Sequence, residues 1–164
     1  RPRQEVPMVT LPNAAIVESR AKLIIGLVGD YSLDTRGEIP KLYEQFFAIR
    51  DGIKHRVSDV LYGISMGAKP DGSFRYGVGI EVEEAEDLPE GACEMHLVEG
   101  EYVVFSQRTP IAELPERFDA VFAEWLPQSD FVQREGAVFE CYPDDDSPED
   151  GKMLYEIWVP VAPK

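Results

Sequence analysis

The chain is short of positive charge. It carries 16 Lys and Arg against 31 Asp and Glu, for a net charge of −15. Nucleic-acid affinity rests on basic side chains that neutralise phosphates, so direct nucleic-acid binding by this chain is not expected. A cationic ligand or partner suits the field better, although any single acid reads first as solvated surface. Cysteine is scarce too. Cys93 and Cys141 make no disulfide framework, and a reducing cytoplasm is the default expectation. No apolar run approaches the roughly 18 residues of a membrane span, and no signal peptide is visible, so no membrane partner is expected. Nor is there a Gly-rich phosphate loop. Metal ligands are sparse: Cys93, Glu94 and His96 fall short of a zinc set. His55 reads as an exposed loop residue. Asp144, Asp145, Asp146 and Asp150 lack the spacing of a calcium loop and read as a solvated turn. No cofactor or metal is expected.

What the chain has is repetition. "EIPKLYEQFFA" begins at Glu38, and "ELPERFDAVFA" begins at Glu113. Each reads as an amphipathic helix. In the first, Ile39, Leu42, Tyr43, Phe46 and Phe47 form the apolar face, with Thr35 and Glu38 spaced as a capping box. In the second, the face is Leu114, Phe118, Val121, Phe122 and Trp125, with Thr109 as the expected cap. A further pair, "YGVGIEV" (76–82) and "YEIWVPV" (155–161), aligns Tyr76 with Tyr155 and the apolar residues at alternate positions. Around these lie β runs at 22–29, 57–65, 73–82, 136–142 and 152–161, and extended chain over 93–107 bent at Gly100. The pattern predicts an α+β fold: duplicated βαββ units with pseudo-twofold symmetry, antiparallel sheets with helices on one face, and a central ligand cleft. Residues 1–13 read as an arm. Residues 14–164 read as one domain of two repeats, 14–82 and 93–162, with the acidic stretch 83–92 as connector.

The repeats differ where chemistry is expected. In the last strand, Tyr155, Ile157, Val159 and Val161 share an apolar face, and Glu156 and Trp158 point the other way. In the strand before it, Phe139 and Cys141 are assigned to the apolar side, with Cys141 a buried hydrophobe, and Glu140 and Tyr142 to the other. The counterparts of Glu156 and Trp158 in the first repeat are Gly77 and Gly79, which leave room. The counterpart region of Glu140 and Tyr142 falls near Tyr62 and Ile64. A cleft lined by aromatics with carboxylates at its base is therefore expected on the pseudo-axis. It suits a hydrophobic or cationic small molecule, through stacking, cation–π attraction and relief of a buried carboxylate. A solvated outer face remains the alternative.

"EGEYVVF…FAEWLPQSDF", "FECY" and "YEIWVPV" together resemble the GyrI-like small-molecule-binding domain, the effector-binding domain of bacterial transcription activators. Gly100, Tyr102, Trp125, Pro127, Ser129, Glu140, Tyr142, Glu156 and Pro160 carry the likeness, most strongly over 93–162. The resemblance implies a duplicated βαββ fold whose cleft binds hydrophobic, often cationic, small molecules. It implies that Glu140 and Glu156 face that cleft, with Tyr142 and Trp158 as walls. Trp158 stands where the family often has Tyr, and "SQRTP" replaces a short His-x-Gly before the second helix. Trp125 reads either as helix core or as pocket lining. The resemblance also admits hydrolysis of cyclopropane-bearing alkylators, with Glu156 or Glu140 as general base, and a gyrase-inhibitor-like protein-binding role. A DNA-binding part of a longer regulator would lie upstream.

Overall fold

The computed structural model describes residues 14–145 and 148–164. The predicted arm and Asp146 lie outside these described residues. In chain order the elements are β1 (Ala14–Ser19), β2 (Lys22–Tyr31), α1 (Ile39–Ile49), β3 (Arg56–Met66), β4 (Phe74–Val82), β5 (Cys93–Leu97), β6 (Gly100–Thr109), α2 (Leu114–Ala120), β7 (Phe131–Gln133), β8 (Val138–Tyr142) and β9 (Met153–Pro163). The fold is α+β, as the sequence predicts. The acidic stretch 83–92 lies between β4 and β5.

All pairings are antiparallel, in the order β1-β6-β9-β8-β3-β4-β2-β5, with β7 paired to β9. Each βαββ segment contributes three neighbouring strands, and β3 meets β8 at the middle. The short leading strands β1 and β5 pair across to the other segment, Ile16 opposite Val103 and Met95 opposite Ile24. β1 is therefore first in the strand order and β2 next to last, yet only Arg20 and Ala21 join them. Val98 and Glu99 join β5 to β6 in the same way. The three peptide steps from Ser19 to Lys22 span at most about 11 Å, so the sheet must curl until its ends approach. Gly100, at φ +126, starts β6 with a backbone angle that side chains disfavour.

The curl gives the sheet an outside and an inside. Outside, α1 buries Leu42 and Phe46 against Ile25, Val78 and Ile80. α2 packs beside Val103, Phe105, Tyr155, Ile157 and Val159. These are separate clusters, one on each side of the central β3–β8 pair. Inside is a third cluster, with Ile24, Tyr62, Met95, Tyr102, Phe139 and Cys141 buried and Trp158 packed on it. It draws on strands from both ends of the order, which only a curled sheet permits.

Several local expectations change. Phe47 does not join the buried face of α1; it is 48% exposed, with the Arg50 guanidinium 5.4 Å from its ring. The capping box does not form: Thr35 Oγ1 accepts the Ser32 amide at 2.8 Å, and the chain enters α1 through a 3₁₀ turn, Arg36–Glu38. Thr109 does not cap α2, because its hydroxyl meets that of Tyr155 at 2.7 Å. α2 runs on through a π turn, Val121–Trp125, into a last turn, Leu126–Gln128. Such turns fit one extra residue into a helix.

Candidate functional site

Register settles which residues can share a site. Across β8 and β9, Glu140 is paired with Ile157, while Phe139 and Cys141 are paired with Trp158 and Glu156. Ile157 lies under α2. Glu140 and Tyr142 are therefore on the helix side, and Glu156 and Trp158 on the inside of the curl. The expectation that both glutamates face one cleft is corrected, as is the assignment of Phe139 and Cys141 to the helix side. The cause is physical: Val138, Phe139, Glu140 and Cys141 are all buried. A strand covered on both faces has no polar and apolar contrast from which to read direction.

On the helix side, Glu140 is 5% exposed. One of its oxygens accepts a short hydrogen bond from the Tyr76 hydroxyl. Tyr76 in turn meets the Tyr43 hydroxyl at 2.6 Å. Tyr43 rides on half-buried ground on α1, and its ring lies 6.2 Å from that of Tyr76 and 6.5 Å, edge-on, from that of Tyr142. Gly63 of β3 is paired with Glu140. A Cβ there would collide with the Tyr76 and Tyr43 hydroxyls and the Glu140 carboxylate, so the relay needs glycine at this position. Among the described residues, no Lys, Arg or His forms an ion pair with Glu140. Burial pushes its pKa up to about 7, against the pull of the Tyr76 hydrogen bond. Burial likewise raises Tyr43, Tyr76 and Tyr142, with the Glu140 charge adding to the effect. The site is thus a buried carboxylate, short of counter-charge, ringed by phenols.

Inside the curl, Glu156 accepts from Trp158 Nε1 at 3.0 Å and from Cys141 Sγ at 3.2 Å. Phe139 stacks on Trp158 at 5.3 Å, and Tyr62 lies 5.7 Å from Phe139. The position over these rings is taken by the chain's own Lys22, whose Nζ is 4.6 Å from the Trp158 centroid. The room expected over Gly77 and Gly79 is filled: Met95 occupies the first, and Ile24 with the Ile25 carbonyl the second. Trp125 packs edge-on to Phe105 at 5.2 Å and stacks with Phe131 at 6.4 Å.

The weaker candidates have local partners. His55 Nε2 is 2.8 Å from Glu86, and Glu94 is 3.6 Å from His96. Asp145 pairs with Arg108. Sequence reasoning missed Tyr43, Tyr76 and Lys22. In the sequence the first two fit the apolar faces of a helix and a strand. Lys22 had a usable signal: it shares strand parity with Ile24, which faces inward.

The fold is a curled antiparallel sheet with two outer helices and a buried carboxylate ringed by phenols at its centre. The chain belongs to the GyrI-like small molecule binding domain family, whose model matches residues 13–162. It is 29% identical to the transcriptional regulator BrlR of Pseudomonas aeruginosa, covering 91% of this chain and 55% of BrlR. The chain therefore spans about half the length of that relative. It is 27% identical to a DNA gyrase inhibitor of Erwinia billingiae, over 92% of this chain and 97% of the inhibitor. In fold it is similar to SAV2435, solved bound to tetraphenylphosphonium, with a TM-score of 0.70 at 16% identity, covering 92% of this chain and 94% of that one. Among the described residues, no helix is long and apolar enough to cross a membrane.

Proposed function

We propose that this domain binds hydrophobic small-molecule cations over Glu140, as an effector-sensing or drug-sequestering module. One observation carries the reading: Glu140 is buried among Tyr76, Tyr43 and Tyr142 with hydroxyl contact but no cation beside it among the described residues. Removing a carboxylate from water without a counter-charge is costly, and an arriving cation offsets that cost. Each tyrosine face adds cation–π attraction of about 0.5–2 kcal/mol. A large delocalised cation suits the site better than a small hydrated one, because it leaves water more easily. Tetraphenylphosphonium, the ligand of SAV2435, has that chemistry. In this reading Glu140 is the counter-ion, Tyr142 and Tyr43 are walls, and Tyr76 holds the carboxylate in place. Tyr43 is the entry point, because it lies on the helix rather than the sheet. In a longer regulator, the domain would be the effector-binding part.

Titration calorimetry with tetraphenylphosphonium tests this. The wild-type chain should bind. Glu140→Gln should weaken binding at least about tenfold, in line with roughly 1.5–3 kcal/mol for a charged contact. Unchanged affinity in a folded Glu140→Gln variant would sink the reading.

A further inference from the structure

We propose that the inside of the curl carries a second ammonium site, the cage of Tyr62, Phe139 and Trp158, with the Lys22 side chain as resident occupant and small alkylammonium or quaternary ammonium ions as external ligands. The rings converge on one point: Lys22 Nζ lies 4.6 Å from the Trp158 centroid, 5.9 Å from that of Tyr62 and 6.0 Å from that of Phe139. Several aromatic faces around one cation form a cage suited to ammonium groups. The rings are mutually braced, Phe139 stacked on Trp158 and Tyr102 edge-on to both. The negative charge is provided for. Glu156 is held by Trp158 and Cys141 on the same face, and Glu81, 5% exposed, is paired with Arg20 at 2.7 Å. Both carboxylates attract Lys22.

Lys22 also has somewhere to go. It is the first residue of β2, beside the Arg20–Ala21 connector, and it lines an open cavity of about 760 Å³ together with Arg20, Glu81 and His96. A side chain anchored at a strand end can leave the cage without disturbing the sheet. Burial lowers the pKa of Lys22, so its ammonium is held there against a desolvation cost. A quaternary ammonium carries a fixed charge and a weaker hydration shell. The cage lies on the opposite side of the sheet from Glu140, so it stands apart from the function proposed above.

The chain has two tryptophans, so their indole N–H resonances give a direct readout, assigned with Trp158→Phe. In Lys22→Ala, n-propylammonium replaces the lost side-chain atoms. It should move the Trp158 resonance saturably, with an apparent Kd at least about tenfold below that of wild type, and leave Trp125 still. Lys22→Met, which refills the cage without charge, should not respond. Equal affinity in wild type and Lys22→Ala, or an equal response to 1-propanol, overturns the proposal. Should Lys22→Ala not fold, wild type decides: tetramethylammonium chloride should shift Trp158 where matched sodium chloride does not, and the absence of that shift overturns the proposal.

Discussion

Glu140 and Glu156 sit on neighbouring strands of one sheet, yet they live in opposite circumstances. Glu156 faces inward, where an indole and a thiol both donate to its Oε1 and Lys22 is near enough to be attracted by it. Glu140 faces outward, is more deeply buried, and has a phenol for company but no cation among the described residues. The contrast teaches that a carboxylate beside aromatics is not enough to mark a ligand site. What matters is whether the chain has already supplied the counter-charge. Inside the curl Arg20 pairs with Glu81 and Lys22 is attracted by both Glu81 and Glu156; under the helices no ion pair reaches Glu140 among the described residues.

Neutralising each acid in turn should separate the two glutamates most strongly. Glu140→Gln should cost tetraphenylphosphonium binding at least about tenfold, while Glu156→Gln should change it less than about threefold. Equal losses, read by calorimetry, would erase the distinction. The next largest effect is on pH. Cation binding needs the Glu140 carboxylate, and its pKa is pushed up to about 7. Affinity should therefore rise by up to about tenfold per pH unit below 7 and level off above it. The sign for stability of the unliganded chain is the reverse. The folded state keeps this proton to higher pH than the unfolded state does, so this group's contribution to stability should fall as pH rises from the ordinary carboxylate range towards 7. Urea titrations at several pH values check it, and Glu140→Gln should remove that part of the slope.

A smaller effect is expected at Gly63. Gly63→Ala drives a methyl into the Glu140–Tyr76–Tyr43 relay and should destabilise the fold by about 1–3 kcal/mol, read from the urea midpoint. Gly37, where an added Cβ meets nothing, is the control. The smallest effect is that of Tyr43→Phe. It deletes one hydroxyl from the relay and keeps the ring, so tetraphenylphosphonium binding should change only severalfold, consistent with about 0.5–1.5 kcal/mol for one hydrogen bond. A loss as large as that of Glu140→Gln would recast Tyr43 as a principal contact rather than a wall.

Much of the fold was legible because it is written in periods. The helix faces repeat at 3.6 residues, the Tyr76–Val82 and Tyr155–Val161 strands alternate, and the two phrases at Glu38 and Glu113 align them. β1 and β7 were not read. β1 is short and mostly exposed, and β7 has only Phe131–Gln133. Neither has a pattern long enough to stand out; both exist because a partner strand offers free hydrogen-bonding groups. The site was half legible. Glu140 and Tyr142 could be picked out, but not the side they occupy, since β8 is covered on both faces. The glycines at Gly77 and Gly79 marked a real asymmetry, but the room belongs to Met95 and Ile24. Distant residues fill such spaces, and no local pattern announces them.

The exchange of leading strands also sets a timetable. β1 has no partner until β6 exists, about 85 residues further along the chain, which at roughly 5–20 residues per second is a wait on the order of ten seconds during synthesis. The first βαββ segment must meanwhile hold itself with β2, β3 and β4, its outer strand edge unpaired until β5 arrives. Closure of the sheet is thus a late event, and a ribosome paused before Gly100 would hold a chain with open edges and an unfilled interior. Interrupted translation would leave those unpaired edges exposed to aggregation.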